Sequence, residues 1–372
     1  MQAVLKVLGS DWITQGPEIE RFEKSVAEAC GAKYAVSVNS GTSALHLACL
    51  AQGLKSGEIL WTSPNTFVAS ANCGLYCGAE VDFVDIDPRT YNISTACLKE
   101  KLAKAERTGK LPKIVIPVHF AGQSCELTEI EKLSRSYGFT VIEDASHALG
   151  GRYRGTPIGA CGLSDMTVFS FHPVKIITTG EGGMIVTNRR DLYERLVLYR
   201  SHGITRDPDS MRGEPHGPWY YQQIDLGFNY RMTDIQAALG SSQLSRLMEF
   251  VERRHRLVGR YNAAFQDLPV ILPWQHPDTH SAYHLYVLRL KLIEIRKTRR
   301  QVFEELRAAG IGVNVHYIPV HMQPHYLQLG FQPGNFPEAE KYYEEAITLP
   351  LFSGLTDEDQ DYVIDVFRRT LE

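Results

Sequence analysis

The sequence predicts an α/β fold in which a large domain with a mostly parallel central sheet precedes a smaller C-terminal α+β domain. Through the first two-thirds of the chain, short apolar and β-branched runs alternate with helical patterns, as in repeated β-α-β units. These runs lack strict apolar–polar alternation, so we expect strands that are buried on both faces. Near residue 233 this pattern changes, which indicates that a second unit follows.

The elements of the predicted large domain can be assigned in order along the chain. Pro17 opens an amphipathic helix that ends before Gly31, and a strand follows at Tyr34–Val38. The segment 127–137 is a second clear helical pattern. Further strands are predicted at residues 81–86, 114–118, 139–142, 166–171 and 184–187.

A long helix is expected to join the two domains. Thr233 and Gln236 form a capping-box pattern ahead of an apolar periodicity that continues to Pro269. At 1.5 Å per residue this helix would span about 50 Å. We therefore predict a large domain at residues 1–245 and a small domain at 246–372. Within the small domain, a strand is expected at 283–292 and a helix at 297–309.

Composition and charge exclude several classes of protein. The 372 residues include 39 Lys and Arg and 43 Asp and Glu, so the formal net charge is −4, which argues against a nucleic-acid or acidic-membrane partner. No apolar run approaches the roughly 18 residues of a membrane span, and the N-terminus lacks a signal-peptide pattern. The seven cysteines all lie at or before residue 161, which does not suit a disulfide framework. We therefore expect a cytoplasmic protein.

Three groups of chemically useful residues each follow a predicted strand, where ligands bind in open parallel sheets. The first, Ser40-Gly41-Thr42-Ser43, leads into a helix whose free N–H groups could bind a phosphate, although an ordinary helix cap has the same pattern. The second is Asp144, which would suit a protonated ring nitrogen or cap a helix. The third is Lys175, which lies among glycine and hydroxyl residues and could be a desolvated, nucleophilic amine. A solvated surface lysine is the alternative. Together the three are the anchors that pyridoxal phosphate needs.

Four motifs resemble those of the DegT-type sugar aminotransferase family, whose members are fold-type-I pyridoxal phosphate enzymes. They are NSGTSAL at 39–45, EDA at 143–145, SFHPVK at 170–175 and GFNYR at 227–231. The resemblance covers nearly the whole chain and begins inside the family's first helix, so a short upstream segment is expected to be missing. The segments 12–17, 200–206 and 220–227 are most similar to the branch of UDP-4-amino-4,6-dideoxy-N-acetyl-β-L-altrosamine transaminases in pseudaminic acid biosynthesis.

The resemblance implies a role for each matching residue. Lys175 would form the Schiff base with pyridoxal 5′-phosphate, and Asp144 would pair with the pyridine nitrogen. His147 replaces a glutamine found in many relatives; it could contact the ring oxygen and could also change charge near neutral pH. The resemblance also implies a homodimer with shared active sites. The remaining expected cofactor contacts are Thr42, Ser43 and Ser170 to the phosphate, Phe67 stacked on the ring, and Asn229 from the other subunit.

The activity implied by this resemblance is a transaminase that moves an amino group from L-glutamate to C4 of a UDP-linked 4-keto-6-deoxy-N-acetylhexosamine. Arg231, His316 and Tyr317 are candidate substrate contacts, although residues of these types often serve only local hydrogen bonding. His276, His280 and His284 recur every four residues. Pro277 argues against a regular helix there, and we expect no metal site.

Three alternatives remain open from the sequence. An aminotransferase for another dTDP-, GDP- or UDP-linked keto-deoxysugar differs only in a few pocket contacts that spacing does not resolve. A pyridoxal phosphate-dependent sugar dehydratase shares the fold, but those relatives carry histidine where this chain has Lys175. A non-catalytic regulator would need a DNA-reading or partner domain, and the net charge and the lack of a helix-turn-helix extension argue against it.

Overall fold

The computed structural model describes residues 1–371, and its strands form four sheets. The strands are β1 (Tyr34–Val38), β2 (Ile59–Thr62), β3 (Glu80–Phe83), β4 (Ile114–Ile116), β5 (Thr140–Asp144), β6 (Arg152–Tyr153), β7 (Thr156–Pro157), β8 (Met166–Ser170), β9 (Gly183–Thr187), β10 (Ile204–Thr205), β11 (Gln222–Gln223), β12 (Val270–Ile271), β13 (Thr279–His280), β14 (Tyr286–Leu290) and β15 (Ala346–Leu349).

The α-helices lie between these strands and at both ends of the described chain. They are α1 (Gln2–Leu8), α2 (Pro17–Cys30), α3 (Gly41–Ala51), α4 (Ala69–Tyr76), α5 (Thr95–Thr108), α6 (Leu127–Tyr137), α7 (Arg190–Arg200), α8 (Asp234–Leu244), α9 (Leu247–Phe265), α10 (Arg299–Ala308), α11 (Pro324–Gln328), α12 (Pro337–Glu345) and α13 (Asp357–Leu371). No helix of residues 1–371 has both the length and the apolar character needed to cross a membrane.

The central sheet has seven strands in the order β1-β9-β8-β5-β4-β2-β3. Strand β9 is antiparallel to both of its neighbours, and the other pairs are parallel, so the prediction of a mostly parallel sheet is confirmed. The sequence prediction missed β2, whose four residues carry too short an apolar run to stand out. Its position between β3 and β4 is fixed by pairing on both edges, which is tertiary information.

The connection after residue 233 differs from the prediction. The capping box is present, since Thr233 accepts from the backbone of Gln236 and the side chain of Gln236 accepts from the backbone N–H of Thr233. The expected single long helix, however, is wrong, because the chain leaves helical geometry at Arg246 and forms two helices, α8 and α9. Serine is a weak helix former, and the three serines at 241, 242 and 245 precede this break. The division at residues 245 and 246 stays a prediction.

The C-terminal elements pack against the central sheet at its ligand-binding edge. Strands β12, β14 and β15 form an antiparallel sheet covered by α9, α10 and α13. A separate apolar cluster joins Phe83 and Phe120 to Val287, Tyr326 and Tyr342 from the C-terminal third. This contact holds the loop before α11 close to the strand ends that carry the candidate site.

Candidate active site

A cavity of about 830 Å³ opens where β1, β5 and β8 end. It brings together most of the residues that the sequence singled out, although they come from five separate segments of the chain. The predicted site residues that line this cavity are Thr42, Ser43, Phe67, Asp144, His147, Ser170, Lys175 and Tyr317.

The start of α3 forms one wall of the cavity and carries backbone N–H groups that have no acceptor in the described chain. Ser40 caps the helix by accepting from the backbone N–H of Ser43 at 3.1 Å, and the Ser43 hydroxyl donates to Asn39 Oδ1 at 2.6 Å. The backbone N–H groups of Gly41 and Thr42 have no acceptor among the described residues. A Cβ at Gly41 would lie 2.9 Å from Ser170 Cβ, so glycine allows this close approach. The free N–H groups and the positive end of the helix dipole favour an anion such as a phosphate.

Asp144 ends β5 and is buried in the cavity wall. Its Oδ2 accepts from the Ser70 hydroxyl at 2.6 Å, and its Oδ1 accepts from the Ser146 N–H at 3.1 Å. Within the part of the chain that the structure describes, no cationic side chain forms an ion pair with this carboxylate. A buried carboxylate needs a positive partner, and a protonated ring nitrogen in the cavity would supply one.

Lys175 lies in the segment that follows β8 and faces the same cavity. Its backbone N–H donates to the His172 carbonyl at 2.9 Å, while its side chain has no hydrogen-bond partner among residues 1–371. Burial lowers the pKa of its ammonium group from 10.5 to about 8, and the charge of Asp144 opposes this shift. A substantial fraction of the amine is therefore neutral and nucleophilic near physiological pH.

His147 is held in a neutral form beside Tyr317. Its Nδ1 accepts from the backbone N–H of Ala121 at 3.3 Å, and its Nε2 lies 3.2 Å from the Tyr317 hydroxyl. Burial, followed by the charges of Lys175 and His316, holds the pKa of His147 well below its usual value. This lowered pKa favours a neutral imidazole, and because Nδ1 accepts from Ala121, the ring proton lies on Nε2. The expected contact of His147 with the cofactor stays a prediction.

The segment after β2 supplies contacts that sequence reasoning missed. Besides the expected Phe67, whose ring is 58% exposed at the cavity mouth, it contains Ser70, the hydrogen-bond donor to Asp144. It also contains Asn65, which accepts from the Tyr317 N–H at 3.3 Å. Recognising β2 as a strand would have placed this segment at the same sheet edge as the other motifs.

Three of the predicted residues do not line this cavity. Asn229 is exposed on the surface beyond β11, which leaves it available to another molecule but not to the site of its own chain. Arg231 is half-buried and likewise lies outside the cavity. His316 lines a neighbouring cavity, where its Nδ1 is 2.9 Å from Thr348 Oγ1. Tyr317 lines both cavities.

The chemical groups that line the cavity fit pyridoxal phosphate. One cavity combines unpaired N–H groups at a helix start, a buried carboxylate without a cation, and a desolvated amine. The family model for the DegT/DnrJ/EryC1/StrS aminotransferase family matches residues 1–368 of this chain. The chain belongs to this family. The protein is thus a sugar aminotransferase that depends on pyridoxal 5′-phosphate, as the residues of the cavity suggested.

Individual relatives match over almost their full length. The UDP-4-amino-4,6-dideoxy-N-acetyl-β-L-altrosamine transaminase of Campylobacter jejuni serotype O:23/36 is 36% identical, covering 100% of this chain and 94% of the relative. The GDP-perosamine synthase of Caulobacter vibrioides is 38% identical, and the match covers 99% of this chain and 94% of the relative. The solved structure of Spr1654, assigned as a sugar aminotransferase, from Streptococcus pneumoniae in its PMP form has a TM-score of 0.89 at 31% identity. The match covers 99% of this chain and 95% of that structure's chain.

Proposed function

We propose that this enzyme transfers an amino group from L-glutamate to C4 of a UDP-linked 4-keto-6-deoxy-N-acetylhexosamine, as in pseudaminic acid biosynthesis. The observation that carries amino transfer is the desolvated amine of Lys175 in one cavity with the buried carboxylate of Asp144 and the free N–H groups of α3. The choice of sugar is supported by the motifs at 12–17 and 200–206 and by the Campylobacter relative.

In this proposal each cavity residue has a role toward the cofactor. The α3 N-terminus, with the hydroxyls of Thr42, Ser43 and Ser170, holds the phosphate. Asp144 would keep the ring nitrogen protonated, Phe67 would cover one ring face, and the Nε2–H of His147 would donate to the ring oxygen.

Lys175 then has two tasks. Its Nζ would hold the cofactor covalently, and once the donor amine has taken that place, the free Nζ would remove the proton from the donor Cα. The lowered pKa of Lys175 suits this base role, because a neutral amine is available near physiological pH. When bound, the cofactor supplies the electron sink for this proton removal. In the second half-reaction the same Nζ returns a proton to C4 of the sugar.

We further propose a homodimer in which Asn229 reaches the phosphate bound in the other subunit. Asn229 follows an exposed apolar stretch in which Leu226 is 74% exposed, and large exposed apolar groups of this kind mark protein interfaces. A cytoplasmic location is also part of the proposal, because all seven cysteines are free thiols.

A GDP-linked 4-keto sugar is the second candidate, favoured by the 38% identity to the Caulobacter GDP-perosamine synthase. That reaction would be the same transfer of an amino group, to a sugar that differs in its nucleotide and its structure. A sugar dehydratase is disfavoured, since the relatives with that activity lack the lysine that this chain has at position 175.

The decisive experiment measures the second half-reaction alone. The pyridoxamine form of the enzyme is mixed with UDP-, dTDP- and GDP-linked 4-keto-6-deoxy sugars, and cofactor absorbance is followed. We expect the UDP-linked N-acetylhexosamine to react fastest. If only dTDP or GDP compounds react, the assignment to the pseudaminic acid pathway fails while the aminotransferase activity stands.

A further inference from the structure

Three cysteine thiols and one imidazole meet where α3 packs against α4. His46 and Cys49 lie one turn apart on α3, Cys73 lies on α4, and Cys77 directly follows α4. The sulfurs of Cys49 and Cys73 are 3.7 Å apart, and Cys49 is also in hydrogen-bond contact with Cys77. We call these four residues the thiol cluster. None of them lines the cavity of the candidate active site, so the cluster is a separate chemical feature of the fold.

Of the three thiols in this cluster, Cys77 is the one that solvent reaches. Cys49 and Cys73 have 0% of their surface exposed, whereas Cys77 is half-buried. The hydrogen bond from Cys49 lowers the pKa of Cys77 below its usual 9.0, and His46 adds to this shift while burial opposes it. Hydrogen bonds with Cys73 and Cys77 raise the pKa of Cys49. A reactive thiolate therefore lies at the exposed position, with a protonated thiol directly behind it.

We propose that Cys77 and Cys49 are a peroxide-reactive pair that closes to a disulfide bond. The Cys77 thiolate attacks one oxygen of hydrogen peroxide, the O–O bond breaks, and hydroxide leaves, so that Cys77 becomes a sulfenic acid. The Cys49 thiol then attacks the Cys77 sulfur, the S–O bond breaks, and water leaves with the Cys49 proton as the S–S bond forms. The two thiols lose two electrons, and the peroxide that takes them up is reduced to two waters.

The thiol cluster is connected to the cofactor site through both of its helices. Helix α3 begins at Gly41, where its free N–H groups are expected to bind the phosphate. Helix α4 carries Ser70, whose hydroxyl donates to Asp144 at 2.6 Å and whose carbonyl accepts from the Cys73 thiol at 3.3 Å. A disulfide holds its two sulfurs about 2.0 Å apart, closer than hydrogen-bonded thiols, so its formation must shift α3 relative to α4. We therefore expect oxidation to weaken the binding of pyridoxal phosphate.

Peroxide treatment of the cofactor-loaded enzyme, followed by mass spectrometry of its proteolytic peptides, tests the pairing. We expect a cross-link between Cys49 and Cys77 in the parent protein, and none in Cys77→Ala. The cross-link should persist in Cys73→Ala. Cys97→Ala is the matched control and should also keep it, since Cys97 is half-buried like Cys77 but packs in a different apolar cluster. No cross-link in the parent, or one that joins Cys49 to Cys73, would overturn the proposal.

The affinity for pyridoxal phosphate tests the connection to the cofactor site. After removal of the cofactor, fluorescence titration should give the oxidised protein a Kd at least about threefold above that of the reduced protein. Dithiothreitol should restore the lower value, because it reduces the disulfide. Cys77→Ala should keep the same Kd after peroxide treatment. An equal Kd for the oxidised and reduced parent would overturn the expected effect on cofactor binding, whichever sugar the enzyme accepts.

Discussion

Asp144 and Lys175 show how burial sets the chemistry of single residues in this protein. Both face one cavity, yet Asp144 is satisfied by Ser70 and a backbone N–H, while the Lys175 side chain has no hydrogen-bond partner in the described chain. Burial penalises the charged form of Lys175, and the carboxylate partly compensates for that penalty. Burial therefore makes a fraction of the Lys175 amine neutral near physiological pH, and the charge of Asp144 limits that fraction.

The rate of cofactor uptake by the apoenzyme should report the pKa of Lys175. Only the neutral amine attacks the aldehyde, so the rate should rise with pH and level off above about 8, the lowered value. Asp144→Asn removes the charge that raises this pKa, so the midpoint should move to lower pH. Stopped-flow absorbance across a pH series measures both effects.

The control for this measurement is Asp278→Asn, at a carboxylate that pairs with the exposed Arg154 away from the cavity. It should leave the midpoint unchanged. A midpoint near the ordinary lysine value of 10.5 in the parent protein would contradict the desolvation argument.

At the level of elements, the site depends on how closely α3 approaches the end of β8. Gly41 opens the helix, and its lack of a Cβ lets the α3 N-terminus sit against Ser170. The α3 N-terminus follows β1 directly, and β1 pairs with β9, so the start of the helix is attached to the central sheet. The free N–H groups are thereby fixed relative to the segment that carries Lys175.

Gly41→Ala should weaken binding of pyridoxal phosphate about tenfold or more. The added Cβ would lie 2.9 Å from Ser170 Cβ and would force the α3 N-terminus away from Ser170. Fluorescence titration of the apoenzyme measures this affinity. Gly162→Ala is the control, since a Cβ there meets no atom within 4 Å. Unchanged affinity in Gly41→Ala would show that the helix start does not hold the phosphate.

At the scale of the whole molecule, we propose that a second subunit completes the active site. Asn229 is exposed and does not line the cavity, and the same part of the chain carries the exposed apolar side chains of Trp219 and Leu226. A closed dimer would bury such a surface and bring the exposed asparagine of each chain to the other.

Mixing two inactive variants tests this arrangement. Lys175→Ala removes the amine, and Asn229→Asp places a negative charge next to the phosphate, so each variant alone should be inactive. In an equal mixture of exchanging subunits, hybrid dimers contain one intact site, and about a quarter of the parental activity should return. Steady-state turnover after subunit exchange measures it.

The control mixture pairs Lys175→Ala with Asp144→Ala, two residues that line the same cavity of one chain. Every site in those hybrids lacks one of them, so activity should not return. No recovery in the first mixture would contradict a shared active site.

The sequence by itself predicted the mostly parallel sheet and singled out the Ser40–Ser43 turn, Asp144 and Lys175, because these depend on short-range patterns such as apolar runs and strand-to-helix turns. The other expected cofactor contacts came from the family resemblance. Tertiary structure alone decided the insertion of β2, the lowered pKa of His147 and the burial of Arg254 without a counterion among residues 1–371. These features arise from contacts between segments far apart in the chain. Burial and pairing across such contacts leave no local pattern from which they could be predicted.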